Sequence, residues 1–321
     1  MFKKLSSGIL IILLIILMAI YLIVRFSGTK ERTFRDKAVS FDPASVTQML
    51  IRNPGQDEAI DLKFTGSTWK LHRKGKIYEA DSNVIKTIIS QLSDLTTKQY
   101  AGRGPDAWEK HEVTDETAPL VTMKSGDKTV ASIYIGKFTF TMPKEQQQQF
   151  RQQQGDMTSY VRLGGEDEVY AVDGILRINF NREADEYRNK TLSNLDPNDI
   201  TRLIINMNDN ISTLELSGDQ WLLDGMKADS ASVVTYRSTL ARLAGSKFVE
   251  EGLLQGSSDH SIRIEGNNFS PVMISAYPVA DTNIHYVITS SQNPGAYFNG
   301  KEADLFNRIF KQPHELLPAT D

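Results

Sequence analysis

The chain has 321 residues, a formal net charge of −4, 40% hydrophobic residues and no cysteine. The hydrophobic and charged fractions are those of a folded globular protein rather than of a disordered chain, and the length admits two domains of ordinary size. A chain without cysteine has no disulfides, no thiolate metal sites and no cysteine nucleophile.

The first feature along the chain is an apolar segment at residues 8–26, which carries a single charge, at Arg25. At about 1.5 Å per residue, a helix of this length crosses most of a bilayer core of about 30 Å. The segment is longer than the apolar part of a secretory signal, and no small-residue cleavage site follows Met18 or Tyr21. We therefore predict an uncleaved transmembrane helix rather than a cleaved signal.

The orientation of this span is less simple, because basic residues lie on both sides of it. Lys3 and Lys4 precede the span, and a basic segment at 30–37 follows it. A literal positive-inside count would leave the bulk of the chain in the cytoplasm. We predict the opposite topology, because the N-terminal tail is short and positive and because large domains translocate despite flanking charge. Residues 1–37 are then a cytoplasmic tail, a span and a basic juxtamembrane segment that lies against anionic headgroups.

Residues 42–101 return in altered form at 196–252, which indicates an internal duplication. Three blocks recur: DPASVTQMLI at 42–51 as DPNDITRLII at 196–205, a turn followed by a tryptophan at Trp69 and at Trp221, and ADSNVIKTIISQLSDL at 80–95 as ADSASVVTYRSTLARL at 228–243. We therefore predict two tandem, duplicated α+β units, at 38–192 and 193–321.

The same pattern of elements is predicted in each unit. In the first, aliphatic and alternating residues predict strands at 46–51 and 59–64, and a third begins at Trp69. Asp81 or Ser82 then caps an amphipathic helix. Four more strands follow in each copy, and each copy closes with a helix, at 175–180 and 303–310. This order predicts mostly antiparallel sheets with packed helices.

A polar, glutamine-rich insertion at 143–157 interrupts the first unit, where the second copy has only a few residues. Such a stretch is either a low-complexity contact to a partner or a solvated excursion, and we favour the excursion.

The strand, turn and tryptophan, followed by Ala-Asp and an amphipathic helix, resemble the domain of unknown function 4340 family. The strands YVRL from Tyr160 and VYAV from Val169, and the segment YRNKTLSNLDPNDITRL at 187–203, resemble that family's closing pattern. The resemblance covers roughly residues 46–250, and the insertion at 143–157 departs from it. It implies a bacterial envelope protein with one N-terminal span, and some members resemble auxiliary subunits of gliding-motility-type ABC transporters. No catalytic residue comes with it.

The residues offer little evidence for catalysis or metal binding. The five histidines, at 72, 111, 260, 285 and 314, form no metal-binding motif, and we interpret them as solvated loop residues. The sequence contains no phosphate-binding glycine motif and no nucleophile elbow. We therefore predict no metal, no cofactor and no enzymatic activity. The acidic balance beyond residue 37 also argues against nucleic acid as a partner.

Trp69 and Trp221 are the candidate ligand or partner contacts, as an aromatic platform. A tryptophan that begins a strand after a turn is more often a core anchor, and we favour that role. The pairs Asp42-Pro43 and Asp196-Pro197 could bind a cation, but such pairs usually set turns and strand starts.

Two classes of function remain open. The preferred one is a non-enzymatic accessory or scaffold subunit in the bacterial inner membrane, single-pass and mostly periplasmic, with an ABC-type transport complex as candidate partner. The alternative is an extracytoplasmic solute- or glycan-binding module, which needs a concave, aromatic-lined cleft between the copies. An enzyme would need clustered carboxylates with perturbed pKa values, which spacing alone does not reveal.

Overall fold

The computed structural model describes residues 16–18, 35–141, 156–254 and 256–318. Residues 16–18 are helical, and the rest of the predicted span at 8–26 lies outside the described residues. So do the first part of the basic segment and nearly all of the glutamine-rich insertion. Among the described residues, no helix combines the length and the apolarity needed to cross a bilayer.

The N-terminal part of the described chain forms one antiparallel sheet with two helices. Its strands are β1 (Lys37–Ser40), β2 (Gln48–Arg52), β3 (Ile60–Phe64), β4 (Trp69–Arg73), β5 (Lys76–Glu79), β6 (Asp94–Arg103), β7 (Leu120–Ser125), β8 (Lys128–Thr141), β9 (Asp156–Leu163) and β10 (Glu168–Asp173). The helices are α1 (Ser82–Ser93), between β5 and β6, and α2 (Pro105–His111), after β6. The strand order is β1-β6-β10-β9-β8-β7-β2-β3-β4-β5.

The C-terminal part contains a second antiparallel sheet and a separate pair of strands. Its elements are β11 (Thr191–Asn194), β12 (Ile200–Met207), β13 (Asn210–Ser217), β14 (Gln220–Leu223), β15 (Met226–Lys227), α3 (Ser230–Ala241), β16 (Arg242–Ala244), β17 (His260–Gly266), β18 (Val272–Pro278), β19 (Tyr286–Ser290), β20 (Phe298–Asn299) and α4 (Leu305–Ile309). The order is β15-β14-β13-β12-β17-β18-β19-β20, and β11 pairs with β16.

Two hydrophobic cores accompany the two sheets. The first core extends from Ala38 to Tyr187 along the chain, and the second from Leu192 to Leu316. The chain around each of them is called the first and the second core region below. Each receives the apolar face of one long helix, so that Leu92 of α1 and Leu240 of α3 are both fully buried.

Short polar side chains fix where the repeated elements begin. The Asp81 carboxylate accepts hydrogen bonds from the backbone N–H groups of Asn83 and Val84, and Asp229 accepts one from Ser232. Asp81, and not Ser82, is therefore the N-cap of α1. Asp42 and Asp196 cap the 3₁₀ turns that precede β2 and β12 in the same way, which is the turn-setting role expected of the Asp-Pro pairs.

The prediction of mostly antiparallel sheets with a few packed helices is confirmed. The closing helix expected at 175–180 is wrong, because only a 3₁₀ turn forms there, at Arg177–Asn179. This segment follows Gly174, which has a φ of 93°, and it is too short for several helical turns. The prediction also lacked β6 and α2, since the polar run TTKQY has no apolar alternation.

Candidate functional site

The indole of Trp69 forms the base of an apolar groove on the surface of the first core region. The Trp69 side chain is only 3% exposed, and its ring lies 5.6 Å from that of Phe64 on the neighbouring strand. A cavity of about 350 Å³ opens above it. The residues that line this cavity, called the Trp69 groove below, are Pro43, Ala44, Val46, Phe64, Trp69, Lys86 and Ile89.

Three parts of the chain meet at the Trp69 groove, and local hydrogen bonds fix them there. The capped 3₁₀ turn presents Pro43 and Ala44 on one side. The backbone N–H of Trp69 donates to the Ser82 hydroxyl at 3.2 Å, which ties the start of β4 to the start of α1. Helix α1 then supplies Ile89 to the floor and Lys86 to the rim, so the groove has apolar walls and one cationic edge.

The corresponding place in the second core region is occupied by an arginine. In the alignment of the two helical blocks, Arg237 stands where the first copy has Ile89. Its guanidinium carbon lies 4.9 Å from the centre of the Trp221 ring, and its Nη1 donates to the Ile200 carbonyl at 3.4 Å. The Nε atom is buried and has no hydrogen-bond partner within the described residues. Burial lowers the pKa of Arg237, because removal from water disfavours its charged form.

The two predicted contact residues are therefore in similar positions but have different neighbours. Trp69 and Trp221 both belong to a core, at 3% and 9% exposure, as the anchor interpretation expects. They lie in separate cores and do not form a common platform. Trp69 contributes to an open groove, whereas Arg237 lies over the ring of Trp221.

Between the two core regions, the chain at 185–191 forms a joint that is hydrogen-bonded to both sides. On the first side, Asp81 N donates to Tyr187 O at 2.8 Å, and Asn189 N donates to Glu79 O at 2.8 Å. On the second side, Gly245 N donates to Lys190 O at 2.9 Å. The backbone of the joint therefore pairs with one region and then with the other, without an unpaired linker between them.

Arg188 adds a side-chain connection at the joint. Its guanidinium carbon lies 4.1 Å from the ring centre of Tyr78 and 3.6 Å from that of Phe248, so one cation is held between an aromatic ring of each region. Asp185 accepts from its Nη1 at 3.3 Å. Burial lowers the pKa of Arg188, and the Asp185 carboxylate opposes that shift.

A small cavity lies beside the joint, between described residues of the two regions. Its volume is about 100 Å³, and it is lined by Tyr78, Arg188, the ion pair of Lys70 with Glu79, and the turn at 293–296. Small-molecule sites usually measure about 300–1,000 Å³. The aromatic-lined cleft that the solute-binding alternative requires is not formed at this place.

A larger depression lies at the edge of the first sheet, next to the start of the joint. Its volume is about 670 Å³, and it is bordered by the turn at 56–59 and by the hairpin of β4 and β5. Charged and polar side chains line much of it, including Glu58, His72, Arg73 and Glu183. Its chemistry suits a polar molecule rather than an apolar one.

A family comparison matches residues 69–260, more than half of the chain, to the domain of unknown function DUF4340. The chain belongs to the DUF4340 family. The DUF4340 match begins at Trp69 and contains α1, the joint and the pair of Trp221 with Arg237, whereas Pro43 and Phe64 of the groove precede it. No curated protein and no solved structure matches the chain.

The interpretation of all five histidines as solvated loop residues is wrong for three of them. His72 lies in strand β4 and is half-buried. His111 ends α2 and is 6% exposed, and its ring stacks on Tyr160 at 4.0 Å. Burial lowers the pKa of His111. His260 is 4% exposed, and its Nδ1 lies 2.7 Å from Asp259. Among the residues that the structure describes, no three histidine or acidic side chains are grouped as metal ligands.

The carboxylates with shifted pKa values have structural explanations. Hydrogen bonds from the backbone and side chain of Ser232 lower the pKa of Asp229, and a backbone hydrogen bond from Gln312 lowers that of Glu315. Both residues cap a helical turn. Shifts of this kind stabilise the charged form, so they do not prepare either group as a general acid.

Sequence reasoning missed three residues of this site: Lys86, Ile89 and Arg237. All three lie in the aligned helical blocks, where the first copy reads Lys and Ile and the second reads Val and Arg. The positions at which the two copies differ in charge were therefore a usable signal. Arg188 lies in the YRNK run that carries the family resemblance, but its position between two rings requires the fold.

Proposed function

We propose that this chain is a non-enzymatic, membrane-anchored accessory or scaffold protein of the bacterial envelope, which acts through protein contacts. An ABC-type transport complex is the proposed partner. The observation that carries the proposal is the open Trp69 groove, because an apolar concavity with a single cation at its rim is the form of a protein-recognition surface.

The anchor and the duplication belong to the same proposal. Residues 8–26 are proposed to span the inner membrane once, with the bulk of the chain in the periplasm. The proposed tandem units, 38–192 and 193–321, are supported by the shared order of elements: four strands, a capped helix and then further strands of the same sheet. An anchored pair of units raises the local concentration of the groove near any membrane partner.

The partner can be tested by site-specific photocrosslinking in intact cells. A photoreactive amino acid at Ala44 or Lys86 is expected to crosslink a transporter permease or ATPase subunit that mass spectrometry identifies. The matched positions in the second copy, Asn198 and Val234, are the controls and are expected to give less of that product. Crosslinks of equal yield at all four positions, or none to a transporter subunit, would contradict the proposal.

The topology is tested separately with reporters fused after Lys37. Alkaline phosphatase, which is active only after export, is expected to be active in this fusion. A fluorescent protein that matures normally at the same site in the cytoplasm would support the literal charge count instead.

The second candidate, a solute-binding module, is favoured by the polar depression beside β4 and β5, which has the volume of a ligand site. A sugar or charged solute that binds there is expected to raise the thermal unfolding midpoint of the full chain. Arg73→Ala should abolish that rise if the depression is the site. A rise that Arg73→Ala removes, together with no specific crosslinks at Ala44, would replace the accessory-protein proposal.

A further inference from the structure

We infer that the Trp69 groove receives a short segment of a partner protein, in which a large apolar side chain stands next to a carboxylate. This inference rests on the proposed function and specifies the partner's chemistry at that surface. It follows from the shape of the groove, from its one charge and from the way the second copy differs.

The side chains that line the Trp69 groove determine which apolar side chain of a partner fits there. Val46, Trp69 and Ile89 are buried side chains whose edges line the groove, and Pro43 and Ala44 stand exposed at its mouth. A volume of about 350 Å³ is at the lower end of the usual range for ligand sites, which suits one or two side chains better than a whole cofactor or a lipid chain. A single anchoring residue in such a pocket often dominates the affinity of an interface.

The charged part of the partner is defined by Lys86. It is the one ionisable residue among those that line the groove, and its side chain is exposed. No ion pair or hydrogen bond joins it to another residue in the described part of the chain. An amine at the rim of an apolar pocket selects a carboxylate beside the apolar anchor and disfavours a basic neighbour.

The second core region has different residues at the two aligned helix positions. There Arg237 lies over the Trp221 ring, and Val234 replaces the lysine at the rim. The same helix position therefore holds a groove-lining isoleucine in one region and a cation that contacts the indole in the other. We expect arginine at position 89 to fill the groove beside Trp69, and the second core region already accommodates an arginine at the aligned position.

The test is a selection with a phage-displayed library of random peptides on the full chain in detergent, with counter-selection on Ile89→Arg. We expect enriched peptides that pair an aromatic or branched apolar residue with Asp or Glu. Binding of a synthetic enriched peptide, measured by fluorescence anisotropy, should fall by about tenfold in Lys86→Glu, which is a loss of about 1.4 kcal/mol. The matched change in the second copy, Val234→Glu, should leave binding unchanged.

Lys86→Glu keeps the test valid even if Ile89→Arg does not fold, because residue 86 is exposed. Three results would overturn the inference: no enrichment over the counter-selected background, enrichment of basic peptides, or equal binding to the wild type and Lys86→Glu.

If the peptides do not bind but Ala44 still crosslinks a transporter subunit, the inference falls and the proposed function stands. If acidic apolar peptides bind but no transporter subunit is captured, the groove chemistry stands and the transporter assignment falls.

Discussion

The two core regions place a tryptophan at a similar point of similar frameworks, but the residues around the two indoles differ. In both, the tryptophan begins the third strand of a meander and packs under a capped helix. The difference lies at one position of that helix, which is the buried Ile89 in the first region and the half-buried Arg237 in the second. Similar frameworks of buried residues can therefore carry different side chains next to the same tryptophan.

The joint at 185–191 belongs to neither core region alone, so it shows how the two regions are connected rather than how they differ. Arg188 contacts Tyr78 on one side and Phe248 on the other, and the backbone around it pairs with both regions. The two cores are thus connected by the Arg188 cation, by backbone hydrogen bonds and by the Asn293 side chain, whose amide donates to the Asn189 carbonyl at 2.8 Å. How far the regions unfold together depends on this joint.

The largest expected effect tests whether the two helices are equivalent. Leu92→Ala and Leu240→Ala each remove a fully buried side chain, and each should lower the free energy of unfolding by about 2–5 kcal/mol. Urea unfolding of the full chain can be followed separately, because Trp69 and Trp108 lie in the first region and Trp221 in the second. A large loss of stability in one leucine variant, with almost none in the other, would show that the two helices are not equivalent. Lys86→Ala, on the exposed side of α1, is the control and should cost little.

A smaller effect is expected at the joint. Arg188→Ala removes the contacts with both rings and should cost about 1–3 kcal/mol, mostly from lost packing and cation–π attraction. The ion pair with Asp185 adds little, because that carboxylate is 45% exposed. The first-region and second-region tryptophan signals should then unfold at different urea concentrations.

Arg188→Lys is the matched variant for the joint, since it keeps the charge but loses the planar group that stacks between rings. We expect it to separate the two transitions partially. Coincident transitions in both variants would mean that the hydrogen bonds of the joint, from the backbone and from the Asn293 side chain, couple the regions without Arg188.

Much of this framework could be predicted from the sequence because it is repeated there. The aliphatic strands, the Asp81 cap and the buried Leu92 follow from periodicity and capping chemistry, and each has a counterpart in the aligned blocks of the sequence. Elements that occur in one region alone, such as α2, had no such support. Their stability comes from tertiary contacts, as when Trp108 donates to the Asp167 carbonyl at 2.8 Å.

The candidate site could be predicted only in part. The tryptophans could be identified in the sequence as a repeated feature. The side chains that surround them could not, because they belong to other elements. Arg237 of α3, for example, contacts Trp221 of β14, and no local sequence pattern predicts that contact. The burial of His111 and His260 was missed for the same reason, since single histidines carry no periodic signal.

A further difference between the regions should appear as a pH dependence of the first one. His111 has its pKa lowered by burial and by the positive charges of Lys110 and Lys137, against a hydrogen bond from its ring to the Ala101 carbonyl. The unfolded chain has a histidine pKa of about 6.5, so it takes up the proton first as the pH falls. The free energy of unfolding should therefore be fully retained above about pH 6.5 and decrease below it, until the pH reaches the lowered pKa of the folded state.

The measurement for His111 is urea unfolding at several pH values, followed in the first region with Trp221→Phe as the background. His111→Gln should flatten the decrease below about pH 6.5. His285→Gln, at an exposed position of the second region, is the control and should leave the curve unchanged. A pH dependence that survives His111→Gln would assign the effect to other groups.

The smallest effect on stability is expected for Arg237→Ile. This substitution gives α3 the residue that α1 has at the aligned position, Ile89. The change removes a cation–π contact of about 0.5–1 kcal/mol, but it also removes a buried Nε that has no hydrogen-bond partner within the described residues. These two contributions oppose each other, so the free energy of unfolding should change by less than about 1 kcal/mol. What should change is access: acrylamide should quench Trp221 more strongly in the variant, measured with Trp69→Phe and Trp108→Phe as the background. A large loss of stability with unchanged quenching would mean that Arg237 holds α3 in place rather than covering a groove, and the two regions would then differ in more than this one position.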